Sequence, residues 1–76
     1  ETVESNGVEL YPNPFVDYIK IKLNHPMDVI LTDAYGKILE EWKLEQSEII
    51  NLEHLRPGIY YVLDKQSKSK AIKMIK

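Results

Sequence analysis

The run Tyr18-Ile19-Lys20-Ile21-Lys22-Leu23 constrains the fold more than any other part of the 76-residue chain. Ile19, Ile21 and Leu23 alternate with Lys20 and Lys22. Successive strand side chains point to opposite faces, so this spacing predicts a β-strand with one face in a core and the other in water. The same period returns along the chain. Val8 and Leu10 flank Glu9. Met27, Val29 and Leu31 resume the alternation after the Asn24-His25-Pro26 breaker, with Ile30 adding partial burial on the opposite face. Ile50 and Leu52 alternate with Asn51 and Glu53. Tyr60 and Val62 share one face while Ile59, Tyr61 and Leu63 share the other, a pattern that belongs in the middle of a sheet. Ile72 and Met74 face inward around Lys73.

Turn chemistry divides these runs. In Leu10-Tyr11-Pro12-Asn13-Pro14-Phe15 each proline fixes φ and removes a donor, and each pushes the residue before it towards an extended conformation. This stretch is expected to end an edge strand and launch a stiff loop, with Asn13 free to bond the loop backbone. The prolines argue for an architectural clamp over a binding motif, because they constrain geometry whatever binds. Asn24-His25-Pro26 is expected to close a hairpin. Asp33-Ala34-Tyr35-Gly36 has Asp first and Gly fourth, the arrangement of a type I turn whose glycine takes φ > 0 and forms a bulge. Arg56-Pro57-Gly58-Ile59 carries Pro and Gly at the central positions of a type II turn, with Leu55 folded inward before it. Residues 38–44, Ile-Leu-Glu-Glu-Trp-Lys-Leu, suit a helical face equally well. They are assigned to a strand because the preceding turn needs a returning partner and a helix of two turns is marginal alone. Residues 64–69 form a polar turn. About seven short strands result, the pattern of an all-β sandwich. Residues 1–7, with one apolar side chain and an Asn-Gly end, read as a linker from upstream cargo, and residues 8–76 as the domain.

Size and charge exclude several functions. Seventy-six residues make one domain, with a net stability of about 4–11 kcal/mol at the usual per-residue range. No apolar run approaches the roughly 18 residues of a membrane span, and a formal charge of −2 gives no global reason to seek nucleic acid or an anionic membrane. With no cysteine there is neither a disulfide framework nor a thiolate site. His25 and His54 fit no zinc spacing, and Asp17, Asp28 and Asp33 fit no calcium loop. Glu40 and Glu41 are neighbours on a strand and point to opposite faces, so they cannot share a substrate. No catalytic residue, metal or cofactor is expected. Five tyrosines and Trp42 leave a sugar-stacking platform as an alternative, a carbohydrate-binding or adhesive module of an extracellular enzyme. The lysine-rich end is read as a defended edge strand.

The set formed by Leu10-Tyr11-Pro12-Asn13-Pro14-Phe15, by Ile19, Ile21 and Leu23, by Asp33-Ala34-Tyr35-Gly36, by Leu55-Arg56-Pro57-Gly58-Ile59-Tyr60-Tyr61-Val62 and by the final Ile-Lys-Met-Ile-Lys resembles the type IX (Por) secretion C-terminal sorting domain, type A. Each piece alone is weak; their order and spacing over residues 8–76 make the set specific. The resemblance implies an immunoglobulin-like sandwich that ends secreted cargo of Bacteroidota. It implies passage through the periplasm, recognition by the translocon and its outer-membrane shuttle and sortase components, and delivery to the cell surface or medium. It also implies removal of the domain by a sortase-like peptidase acting in or before residues 1–7. The element it makes critical for export maps to Ala71, Ile72, Lys73, Met74, Ile75 and Lys76, which a receptor is expected to read by adding a strand to an open edge. Tyr11, Pro12, Asn13, Pro14, Asp33, Gly36, Leu55, Gly58 and Tyr60 match the pattern as structural residues.

Overall fold

The computed structural model describes residues 3–5 (backbone), 8–66 and 71–76. Eight strands lie among them: β1 Val3–Ser5, β2 Val8–Tyr11, β3 Tyr18–Leu23, β4 Met27–Asp33, β5 Ile38–Leu44, β6 Glu48–Asn51, β7 Ile59–Asp64 and β8 Ile72–Ile75. They form two antiparallel sheets, β1-β2-β3-β6 (sheet A) and β5-β4-β7-β8 (sheet B), stacked as an immunoglobulin-like all-β sandwich. Two of the expected connections are different. Residues 24–26 do not close a hairpin: β3 and β4 belong to opposite sheets, and the breaker carries the chain across the sandwich. Nor is β2 an edge strand, because the backbone of Val3–Ser5 pairs with it in the register Val3↔Leu10 and Ser5↔Val8. The ladder therefore begins before the expected start at Val8; residues 1, 2, 6 and 7 of the expected linker, and residues 67–69 of the expected polar turn, lie outside the described residues.

The inward faces are those set by the period of two. Leu10, Ile19 and Ile21 from sheet A meet Val29, Leu31, Val62 and Met74 from sheet B, all at most 2% exposed. Phe15 and Leu52, also closed off from solvent, fill the ends of the layer, and the Phe15 ring tilts against Tyr60 at 6.3 Å between centroids. Residues 38–44 are a strand, as the turn before them requires, and Trp42 packs its half-buried ring on the core. In that turn Gly36 sits at φ 87°, Asp33 O accepts from Gly36 N at 3.1 Å, and Asp33 Oδ1 accepts from the N–H groups of Tyr35 and Lys37 at 2.8 and 2.9 Å. The register slips between Leu31 and Thr32, leaving Leu39 as the extra residue of a bulge.

The second glycine turn is not type II. Gly58 does not adopt a positive φ; instead it exchanges backbone hydrogen bonds with Lys76, Gly58 N to Lys76 O at 3.2 Å and Lys76 N to Gly58 O at 2.9 Å. That pair extends the β7–β8 ladder by one rung beyond Ile59↔Ile75.

Candidate functional site

The segment singled out by sequence, residues 71–76, contains β8, one of the two edge strands of sheet B. Ile72 and Met74 are buried, and their backbone groups face β7. Ala71, Lys73 and Ile75 carry the exposed side chains. In an antiparallel strand the backbone groups alternate in direction as the side chains do, so those of Lys73 and Ile75 point away from β7. An open edge would leave them free for an added strand.

The proline loop occupies that edge instead. Asn13 Nδ2 donates to Lys73 O at 3.0 Å, Ile75 N donates to Asn13 Oδ1 at 3.1 Å, and Phe15 N donates to Ile75 O at 2.8 Å. One side-chain amide, with a donor and an acceptor, thus imitates a rung of a neighbouring strand. Both Tyr11-Pro12 and Asn13-Pro14 are cis. The loop crosses from the end of β2 in sheet A to β8 in sheet B, which places residues 13 and 15 along the outer side of β8. Tyr11 stays on the outside of sheet A with the Lys20 ammonium 5.8 Å from its ring centre, Pro12 is half-buried, and Pro14 is exposed.

Lys76 is held as firmly. Its ammonium donates to the carbonyls of Leu52, Glu53 and Leu55 at 2.8, 3.1 and 2.6 Å, which uses all three of its protons. Leu55, half-buried against the core, is thereby tied to Lys76. Tyr60 closes the same region from within: its ring is buried and its hydroxyl donates to Arg56 O at 2.5 Å. Asn13, Leu55, Tyr60 and Lys76 therefore gather along β8 and just past its C-terminal end, whereas Asp33 and Gly36 shape the β4–β5 turn. Sequence reasoning had assigned Lys76 to a partner and Asn13 to its own loop; neither residue carries a signal that names a contact 21 to 62 positions away.

Among the described residues the charged and aromatic groups are spread over the two sheets and their turns. Among the described residues, no three His, Asp or Glu side chains gather where they would hold a metal. Glu40 pairs with His54 at 2.6 Å and Glu41 pairs with Lys65, each at the surface. The hydrogen bond from Lys65 to Glu41, and then its charge, hold the Lys65 ammonium above the usual lysine range. Tyr60 lies in the core, Tyr35 at a turn tip and Trp42 against the core, while Tyr11 and Tyr18 lie outside sheet A and Tyr61 outside sheet B. These rings make no common stacking row. No helix among the described residues is long and apolar enough to cross a membrane.

A family model described as a secretion system C-terminal sorting domain matches residues 9–76. The chain belongs to this family. No curated protein and no solved structure matches the chain. A sorting domain of the type IX system is a signal and not a catalyst: it marks the cargo upstream of it for export across the outer membrane by that system. In the folded state described above, residues 72–75 are built into the sandwich as an edge strand of sheet B.

Proposed function

We propose that this sorting domain directs its cargo from the periplasm through the type IX translocon, that outer-membrane shuttle and sortase components recognise it at residues 71–76 and their surroundings, and that a sortase-like peptidase then removes it while joining the cargo to the cell surface. The family match over residues 9–76 carries this reading. The exposed side chains of Ala71, Lys73 and Ile75, held on a fixed strand, support a role for that segment in recognition. The pairing of Val3–Ser5 with β2 favours a cleaved bond upstream of Val3, because a peptidase needs backbone that is not already in a ladder. The carbohydrate-binding alternative draws no support from the dispersed aromatic rings.

The test is a passenger protein with an export signal at its front and this chain at its end, expressed in a type IX-competent bacterium and in the same strain lacking the translocon. The passenger is expected at the surface or in the medium of the first and trapped in the periplasm of the second, with the sorting domain cleaved off in the first alone. Equal release from both strains would reject the sorting role. Release with the sorting domain still attached would reject the cleavage step. Deleting residues 73–76 is a poor test of recognition, because it removes Met74, which has no exposed surface, along with the Lys76 contacts. Loss of export would then follow from unfolding alone.

A further inference from the structure

The outside of sheet B is unusually apolar for a face that no third layer covers among the described residues. The register sets Ile38, Thr32, Tyr61 and Lys73 in one row across the four strands and Ile59 beside Ile75 in the next. Ile38, Ile59 and Ile75 are 55%, 40% and 42% exposed, and Ile30, on the same face, is 97% covered by its neighbours alone. At the far end the face turns polar, with the Lys65–Glu41 pair near Asp28 and Lys43. The outside of sheet A differs: there Glu9, Lys20 and Lys22 break up the exposed Tyr18 and Ile49. Lone exposed isoleucines need no explanation, but three on one face beside a half-buried tyrosine form an apolar patch of the kind that interaction sites use.

Two further observations say what docks there. The edge of β8 is occupied by Asn13 and Phe15, so the side chains that β8 offers to a partner are those of Lys73 and Ile75, which project onto this face. Lys73 also has no carboxylate within ion-pair reach among the described residues. A second copy of the chain docked face to face would bring two such lysines together across a two-fold axis, at a cost in an apolar setting. An anionic polymer would need a cluster of cations around Lys73, but the other two lysines described on this face, Lys43 and Lys65, lie at its far end beside Asp28 and Glu41. We propose that the outside of sheet B, centred on Ile59, Tyr61, Lys73 and Ile75 and reaching Ile38, docks onto an apolar protein surface of the secretion machinery that carries a carboxylate opposite Lys73. The inference rests on the sorting role and supplies its mode: recognition by a side-chain face and not by strand addition.

The passenger fusion tests it with Ile59→Asp, Ile75→Asp and Lys73→Glu, against the controls Lys73→Arg and Ile49→Asp, the last on the outside of sheet A and 61% exposed in the parent chain. Surface-delivered passenger is expected to fall about tenfold or more for each of the first three, the equivalent of roughly 1.4 kcal/mol of binding, and to stay at the parent level for both controls. Melting temperature is measured for every variant. Because a variant can lose export by unfolding, a photo-reactive phenylalanine analogue at Ile38 or Ile59, in the otherwise unchanged fusion, supplies a second readout in living cells. It is expected to give an adduct with a translocon component identified by mass spectrometry, and the same analogue at Ile49 none. Export unchanged by all three substitutions overturns the face and leaves the sorting role standing, as do adducts with a second copy, with lipopolysaccharide or with nothing. A parent fusion that is not exported at all removes the sorting role and this inference with it.

Discussion

Replacing Asn13 by Ala removes two hydrogen bonds to β8, Asn13 Nδ2 to Lys73 O and Ile75 N to Asn13 Oδ1, without touching the core. Each such bond is worth about 0.5–1.5 kcal/mol net, and both are open to water, which replaces part of what is lost; about 1–2 kcal/mol is expected. Against a total of roughly 4–11 kcal/mol, that is a large share for one surface residue. At about 4–8 °C per kcal/mol for a domain of this size, the melting temperature should fall by about 4–16 °C. Asn13→Asp is no rescue, because it keeps the acceptor for Ile75 N but sets an oxygen against Lys73 O. Thermal and urea unfolding give the global change, and amide hydrogen exchange locates it. The Ile75 N–H should lose more protection than global destabilisation accounts for, since its partner is gone, while the amides of Val62 and Tyr60 track global stability. An unchanged melting temperature, or an Ile75 amide that merely follows the rest of the sheet, would refute the role assigned to Asn13 in closing this edge.

Three other substitutions follow from the same geometry. Gly36→Ala, at φ 87°, should cost about 1–2 kcal/mol, whereas Gly58→Ala should be neutral or stabilising by up to about 1 kcal/mol, because Gly58 has no positive φ and its added methyl would meet nothing closer than the Tyr60 ring at 4.0 Å; urea midpoints compare the two. Met74→Ala should cost about 2–5 kcal/mol and leave a large unfolded fraction at 37 °C by circular dichroism, since this side chain is sealed in the core. Lys76→Met should cost about 1–3 kcal/mol through the loss of three carbonyl contacts, with Lys76→Arg recovering only part, as a planar fork cannot point its protons at three carbonyls as an ammonium does.

The strands were legible because a half-buried strand writes its two faces into the sequence. Ile19, Ile21 and Leu23, or Tyr60 against Tyr61, needed only a period of two, and Asp33 with Gly36 fixed the hairpin that made residues 38–44 a strand. What the period cannot say is which sheet a strand joins. Leu23 and Met27 alternate in the same way whether β3 and β4 pair or part, so the crossing at residues 24–26 was not visible. The strand Val3–Ser5 had no apolar alternation to betray it, and its backbone pairing with β2 leaves no mark on the sequence. Gly58 looked like a left-handed turn residue, and only the ladder to Lys76 shows otherwise. Around β8 the limit was different in kind. The contacts of Asn13 and Lys76 are made by single polar side chains to carbonyls and an amide far along the chain, and any Asn or Lys can do that wherever the fold delivers it. Sequence therefore located the segment correctly as an edge strand, and misjudged how open that edge is.

That closed edge separates two modes of recognition energetically. For a partner to add a strand to β8 it must first displace Asn13 and Phe15, breaking three hydrogen bonds worth about 1.5–4.5 kcal/mol in sum, and the bonds it then makes only restore them. Backbone pairing would supply no net affinity, so side chains would have to carry all of it. Docking on the outer face breaks nothing and buries Ile59 and Ile75 at about 25 cal/mol per Å² of apolar surface. Asn13→Ala distinguishes the two in the fusion assay at a growth temperature where the variant stays folded. Strand addition requires the freed edge to bind better, so export should rise or should tolerate Ile75→Asp in the same chain. Face docking requires export to stay at the parent level with Asn13→Ala alone and to collapse again when Ile75→Asp is added.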